Sequence, residues 1–133
     1  MYIYPVKVQF EDIDAYNIAH HTKIICYLER ARVNYFADNG VDLHSIQYGL
    51  VLRNISISFK KALLMLEQID VIVHTKDISK YKFKFAYELM VDGNKRASAE
   101  IEMAVIDLIS KRPVPIPEEI LLLLKKIEKS NEV

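Results

Sequence analysis

The sequence predicts an α+β domain: a curved antiparallel sheet wrapped around one long central helix, with a short helix near the C-terminus. Three observations predict it. Apolar residues recur at helical spacing over residues 20–38, where Ile24, Leu28, Ala31 and Tyr35 stand at i, i+4, i+7 and i+11. Five other stretches alternate with period two, the mark of a half-buried strand. A long helix with one apolar stripe must also be covered, and an antiparallel sheet with one apolar face can cover it.

The elements follow in order. Residues 6–10 put Val6, Val8 and Phe10 on one face and Lys7 and Gln9 on the other, a strand, and an acidic turn over 11–17 comes next. The helix over 20–38 carries Tyr27 beside its stripe and Lys23, Glu29, Arg30 and Asn34 opposite. It spans about 28 Å at ~1.5 Å per residue, and Gly40 is its C-terminal stop. Residues 41–49 read as an irregular connection. In 51–61, Val51, Ile55, Ile57 and Phe59 share a face that Arg53 interrupts; in 69–75, Ile69, Val71 and Val73 alternate with Asp70 and His74. Tyr81, Phe83, Phe85 and Tyr87 oppose Lys82 and Lys84 in 81–87. Asp92-Gly93-Asn94-Lys95 signals a tight turn before the last strand, 97–108, with Ala97, Ala99, Ile101, Met103 and Val105 on one face. Pro113, Pro115 and Pro117 lead into a helix over 118–129, acidic at its start and lysine-rich at its end, as the helix dipole favours. Its apolar run 121–124 is too short for a membrane and reads as docking on its own domain or a neighbouring subunit.

Bulk properties narrow the function classes. The 133 residues fit one domain over 1–133, and 18 basic residues balance 18 acidic ones. Zero net charge argues against a nucleic-acid-binding surface, though not against a local basic patch for a phosphate-bearing ligand. The single cysteine, Cys26, forms no internal disulfide and no cysteine-rich zinc site, and four histidines with no second cluster beside His20-His21 suggest no metal site. With no signal-peptide pattern and no span-length apolar stretch, a cytoplasmic protein without a membrane span is expected.

Chemistry concentrates in Phe10-Glu11-Asp12-Ile13-Asp14-Ala15-Tyr16-Asn17-Ile18-Ala19-His20-His21 and in Glu29-Arg30-Ala31-Arg32 on the helix that follows. This stretch resembles the 4-hydroxybenzoyl-CoA thioesterase family of the hot-dog fold, and within it the YbgC-like acyl-CoA thioesterase branch. Members of that branch show Tyr-Glu-Asp-Thr-Asp-Ala-Gly-Gly-Val-Val-Tyr-His and then Glu-Arg-Ala-Arg, in register with residues 10–32 and without a gap. The resemblance implies hydrolysis of a coenzyme A thioester to a free acid and thiol, with coenzyme A part of the substrate and no cofactor. It places the catalytic carboxylate on Asp14 and the carbonyl-polarising backbone N–H on His21, whose side chain matches the branch's histidine. Tyr16 and Asn17 replace the family glycines at the site entrance and are substrate-binding candidates; asparagine tolerates the left-handed backbone that glycine would supply. The family's Gly-Asp between its second and third strands falls on Glu67-Gln68, so that turn is expected to be built differently. Dimers with sites at the subunit interface, often paired into tetramers, are implied as well.

The residues allow this chemistry on their own terms. A helix N-terminus offers unpaired N–H groups to a developing oxyanion. Asp14 can attack the carbonyl to give an anhydride, can orient and deprotonate water, or can be no more than a cap. Asp12 reads as a cap of the turn or helix, and the His21 side chain as a catalyst or a structural group. Coenzyme A phosphates call for cations at the pocket mouth. Lys60 and Lys61 are candidates, with Arg53, Lys82 and Lys84 behind them, and a solvated sheet face explains each as well. Glu29 and Arg32, at i and i+3, read as a surface or interface ion pair. Two rival functions remain: a hot-dog module that binds acyl-CoA or an acyl carrier protein without hydrolysis, and an interaction protein using its C-terminal helix.

Overall fold

The computed structural model describes residues 1–129. Its elements are β1 (Tyr2–Lys7), α1 (His21–Asp38), β2 (Tyr48–Phe59), β3 (Gln68–Lys76), β4 (Lys82–Val91), β5 (Asn94–Asp107) and α2 (Glu118–Lys126). The five strands form one sheet of order β1-β3-β4-β5-β2 in which every neighbouring pair is antiparallel. Alternation turns Ile69, Val71 and Val73 of β3, Phe83, Phe85, Tyr87 and Leu89 of β4, and Ala97, Ile101 and Val105 of β5 into one buried face. The stripe Ile24, Tyr27, Leu28, Ala31 and Tyr35 buries α1 in the same core. Each such fully buried large apolar side chain contributes about 1.5–3 kcal/mol of transfer free energy. The helix-wrapping sheet that the two periodicities predict is therefore present.

Local chemistry moves several predicted boundaries. The first strand is Tyr2–Lys7 and not 6–10: it begins earlier, paired with β3 from Tyr2 on. It ends at Lys7 because the Asp12 carboxylate takes the Gln9 N–H at 3.0 Å and Asp12 N–H donates to the Gln9 carbonyl at 3.0 Å. Side chain and backbone thus close a single 3-10 turn, and Phe10 is left 75% exposed on it. Tyr81 lies outside β4, since Ser79 bonds Lys82 through both its N–H and its hydroxyl and holds the chain in a turn until Lys82. Arg53 interrupts the apolar face of β2 for a physical reason: it is skipped in the register, with Leu52 opposite Met103 and Asn54 opposite Glu102, a bulge. The hairpin turn has positive φ at both Asp92 and Gly93, as its sequence signals.

The end of α1 is closed as its sequence suggests, and the end of α2 by side chains from elsewhere in the fold. At the end of α1, Gly40 has φ +81°, its N–H donates to Ala37 O, and Val41 N–H donates to Phe36 O. These two bonds make a Schellman motif. Helix α2 docks on its own domain through Ile120 and Leu124 and ends at Lys126 rather than Lys129. Beyond it the chain joins the sheet where β1 has run out: Thr75 N–H donates to Ile127 O and Lys129 N–H to Thr75 O. The Tyr35 and Thr75 hydroxyls donate to the Leu123 and Leu124 carbonyls, acceptors that a helix end otherwise leaves orphaned. No described helix is long and apolar enough to cross a membrane.

Candidate active site

Between β1 and α1 the chain folds back on itself and pairs residues 12–14 with 18–20. Asp14 N–H donates to Ile18 O at 2.9 Å, His20 N–H to Asp12 O at 2.8 Å, and Asn17 N–H to Asp14 O at 3.0 Å. Asn17 sits at φ +64°, the left-handed conformation that asparagine tolerates and that closes so tight a turn. Asp14 Oδ1 accepts the Tyr16 N–H at 2.8 Å, while Asp14 Oδ2 accepts no hydrogen bond among the described residues. Ala19 N–H donates to Leu63 O at 2.8 Å, so the turn is also fixed to the segment that follows β2.

The start of α1 leaves one amide free. His20 is the N-cap, its Nδ1 accepting the Thr22 N–H at 3.1 Å, and its carbonyl accepts the Lys23 and Ile24 N–H groups. The His21 N–H has no partner among the described residues. Asp12 caps the 3-10 turn rather than the helix. Its buried Oδ2 receives the Tyr27 hydroxyl at 2.6 Å and the Gln9 N–H at 3.0 Å. Burial opposes the charged form of Asp12, but the Tyr27 hydroxyl, the Gln9 amide and the Lys23 and Arg30 charges outweigh it and hold the carboxyl below its ordinary value.

A cleft of about 290 Å³ opens here, with Asp14 and His21 lining it together with Lys60 and Lys61, over the apolar side chains of Ile24, Phe59 and Leu63. Four of the six predicted site residues therefore meet. Tyr16 and Asn17 do not line the cleft: Tyr16 is 83% exposed, and Asn17 serves through its backbone conformation. The other predicted cations also lie elsewhere, Arg53 pairing with Glu102 at 3.6 Å and Lys84 with Asp77 at 3.4 Å. A larger depression, about 350 Å³ on the outward sheet face, holds none of the predicted site residues. Its Lys76 and Lys95 are already paired with Glu100 and Glu88.

The turn between β2 and β3 has its left-handed residue at Leu66 (φ +67°), followed by the acid Glu67. One expectation is corrected in part: Glu29 and Arg32 do not pair with each other on the helix surface. Among the described residues Arg32 Nη1 and Tyr87 Oη are instead buried without hydrogen-bond partners. Burial pushes the Tyr87 phenol up to about 12 against the pull of the nearby Arg32 charge. Sequence reasoning missed Arg96, whose guanidinium grips Glu67 at 2.6 and 3.0 Å. Glu67 is the single charged residue in the apolar run 62–69, and a lone charge there was a signal that a partner is needed. Among the described residues no three histidine, cysteine or acidic side chains converge as a metal site.

Comparison with known proteins places this geometry in context. Residues 8–124 match a family model described as the thioesterase-like superfamily. The acyl-CoA thioesterase YbgC of Haemophilus influenzae is 24% identical over 121 residues, covering 88% of this chain and 89% of that protein. The crystal structure of a hypothetical protein from Aquifex aeolicus aligns with TM-score 0.89 at 27% identity, over 93% of this chain and 99% of that one. A 1,4-dihydroxy-2-naphthoyl-CoA thioesterase from Synechocystis shares the fold at TM-score 0.88 and 17% identity, over 97% of this chain and 98% of the other.

Proposed function

Because the chain belongs to the thioesterase-like superfamily, we propose that it is a cytoplasmic acyl-CoA thioesterase that hydrolyses a coenzyme A thioester to a free acid and coenzyme A. One observation carries this reading: the Asp14 carboxylate, with Oδ2 unengaged, and His21, with a free helix-start N–H, line one cleft. In the proposed reaction the His21 N–H donates to the thioester carbonyl oxygen, where negative charge develops as the carbonyl carbon becomes tetrahedral. Asp14 either attacks that carbon or takes a proton from an attacking water. When Asp14 attacks, the C–S bond breaks to leave a mixed anhydride. Water cleaves its acyl–oxygen bond to release the acid and restore Asp14, with its protons going to the thiolate and the solvent. When water attacks, the C–S bond breaks and the proton taken by Asp14 passes to the departing thiolate. This chemistry calls for no cofactor. The His21 imidazole and the Lys60 and Lys61 ammonium groups are assigned to substrate contact at the cleft.

The outer edge of β2 supports a homodimer or tetramer. Among the described residues β2 pairs on one side only, with β5, and it exposes Leu52 and Phe59, a surface natural sheets rarely leave uncovered. An acyl group presented by an acyl carrier protein is the alternative substrate for the same cleft. The C-terminal helix is a poor interaction module, because its buried Ile120 and Leu124 are already spent on the core. A thiol-release assay across short, long and aromatic acyl-CoAs tests the proposal: turnover by the wild-type chain supports it. Binding without release points to the non-catalytic rival.

A further inference from the structure

A second depression, about 450 Å³, adjoins the cleft. It lies against Asp92, Asn94 and Lys95 of the β4–β5 hairpin and shares Lys60 and Lys61 with the cleft. Those two lysines stand at the junction of both hollows, and neither is in an ion pair among the described residues. One residue fixes them there. The N–H groups of Lys60 and Lys61 donate to the Arg96 carbonyl at 2.8 and 3.1 Å. The Arg96 side chain then turns back onto the same loop, Nη1 donating to Ala62 O at 2.6 Å and the fork closing on Glu67.

The clamp joins β5 to the loop between β2 and β3. Arg96 is only 9% exposed, and its bidentate grip holds the Glu67 carboxyl below its ordinary value against an opposing desolvation. Glu67 also accepts the Leu64 N–H at 2.7 Å, so both ends of the 60–67 loop are pinned. A partly buried pair of this kind is weak evidence for added stability but fixes one geometry. The guanidinium is occupied by Glu67 and Ala62, so Lys60 and Lys61, neither in an ion pair among the described residues, are the cations at the junction that can take an anion.

Resting on the thioesterase reading, we infer that the Arg96–Glu67 pair is a positioning element. It holds Lys60 and Lys61 where the phosphates of the coenzyme A portion pass from the cleft into the second depression. It thereby sets affinity for phosphate-bearing thioesters without touching the reacting atoms.

The test compares hexanoyl and benzoyl groups carried on coenzyme A with the same groups on N-acetylcysteamine, which has no phosphate. Glu67→Gln and Arg96→Lys should raise KM for the coenzyme A esters roughly tenfold, the scale of about one misplaced charge-assisted contact. The kcat for those esters, and both parameters for the neutral thioesters, should hold. A purely structural role would impair all substrates alike, and that result, or an unchanged KM for coenzyme A esters, overturns the inference. Where Arg96→Lys fails to fold, Glu67→Gln, which preserves the shape of the fork, carries the comparison. If the wild-type chain hydrolyses none of the short, long and aromatic coenzyme A esters, the thioesterase reading fails, and calorimetric titration with coenzyme A tests the pair alone. Weaker binding by Glu67→Gln supports it; equal binding, or none by the wild type, overturns it.

Discussion

The Tyr27 hydroxyl donates to Asp12 Oδ2 across 2.6 Å inside the core and so fastens α1 to the turn that carries Asp14. Tyr27→Phe keeps the ring but leaves a buried carboxylate oxygen short of a donor, a loss of about 1–3 kcal/mol. The pH dependence follows from the sign of the shift. Asp12 is held below its ordinary value of 3.8, so its contribution is complete above that value and is lost as pH falls through the folded one. Urea unfolding of wild type and Tyr27→Phe between pH 2 and 7 should show a smaller acid-side loss in the variant. Parallel curves would remove Asp12 as the source.

Asp14→Asn should lower kcat by about 10²–10⁴, the range typical of a positioned acid–base group. Its amide oxygen can still accept the Tyr16 N–H, so the turn keeps its hydrogen bond. Thiol release measured beside circular dichroism and light scattering checks both halves: turnover falls while folding and oligomer size persist. Unchanged turnover would remove Asp14 from the chemistry.

How much was legible depended on whether a residue's partner was near in sequence. The α1 stripe, the period-two strands and the Asp92-Gly93 turn are local patterns, and they stand in the structure as the sequence implies. The resemblance names Asp14 and His21, while Lys60 and Lys61 are two of five cations that a phosphate-bearing ligand calls for; that all four line one cleft is not legible, because nothing local joins residue 14 to residue 60. Hydrogen bonds made across the fold were not legible. No spacing rule reveals that Arg96 would grip Glu67 or that Thr75 would cap a helix 49 residues away. The strand end at Lys7 was misread for a related reason: the Asp12 side chain competes for a backbone donor that alternation alone assigns to the sheet.

Leu66→Gly should stabilise the protein. A leucine at φ +67° pays about 1–2 kcal/mol for the left-handed region, while glycine's added unfolded-state freedom costs back roughly 0.5–1 kcal/mol. Leu66 is 57% exposed, so little buried surface is lost. The net gain, about 0.5–1 kcal/mol, is a higher urea midpoint at constant slope. Asn17→Gly, at a residue type that already tolerates this conformation, should be close to neutral in the same titration.

Thr75→Val tests how α2 is held. The substitution keeps the shape of a fully buried side chain and removes only the hydroxyl that donates to the Leu124 carbonyl. The acceptor stays buried without its donor, at a cost of about 1–3 kcal/mol. The loss should fall first on the C-terminal helix, because the Thr75 backbone also carries the bonds to Ile127 and Lys129 that tie the end of α2 to β3. Hydrogen exchange should therefore speed up over residues 118–129 before it does so in β4 or β5, while thioester turnover is retained, since Thr75 does not line the cleft. Uniform acceleration across the sheet would instead make Thr75 a part of the global core.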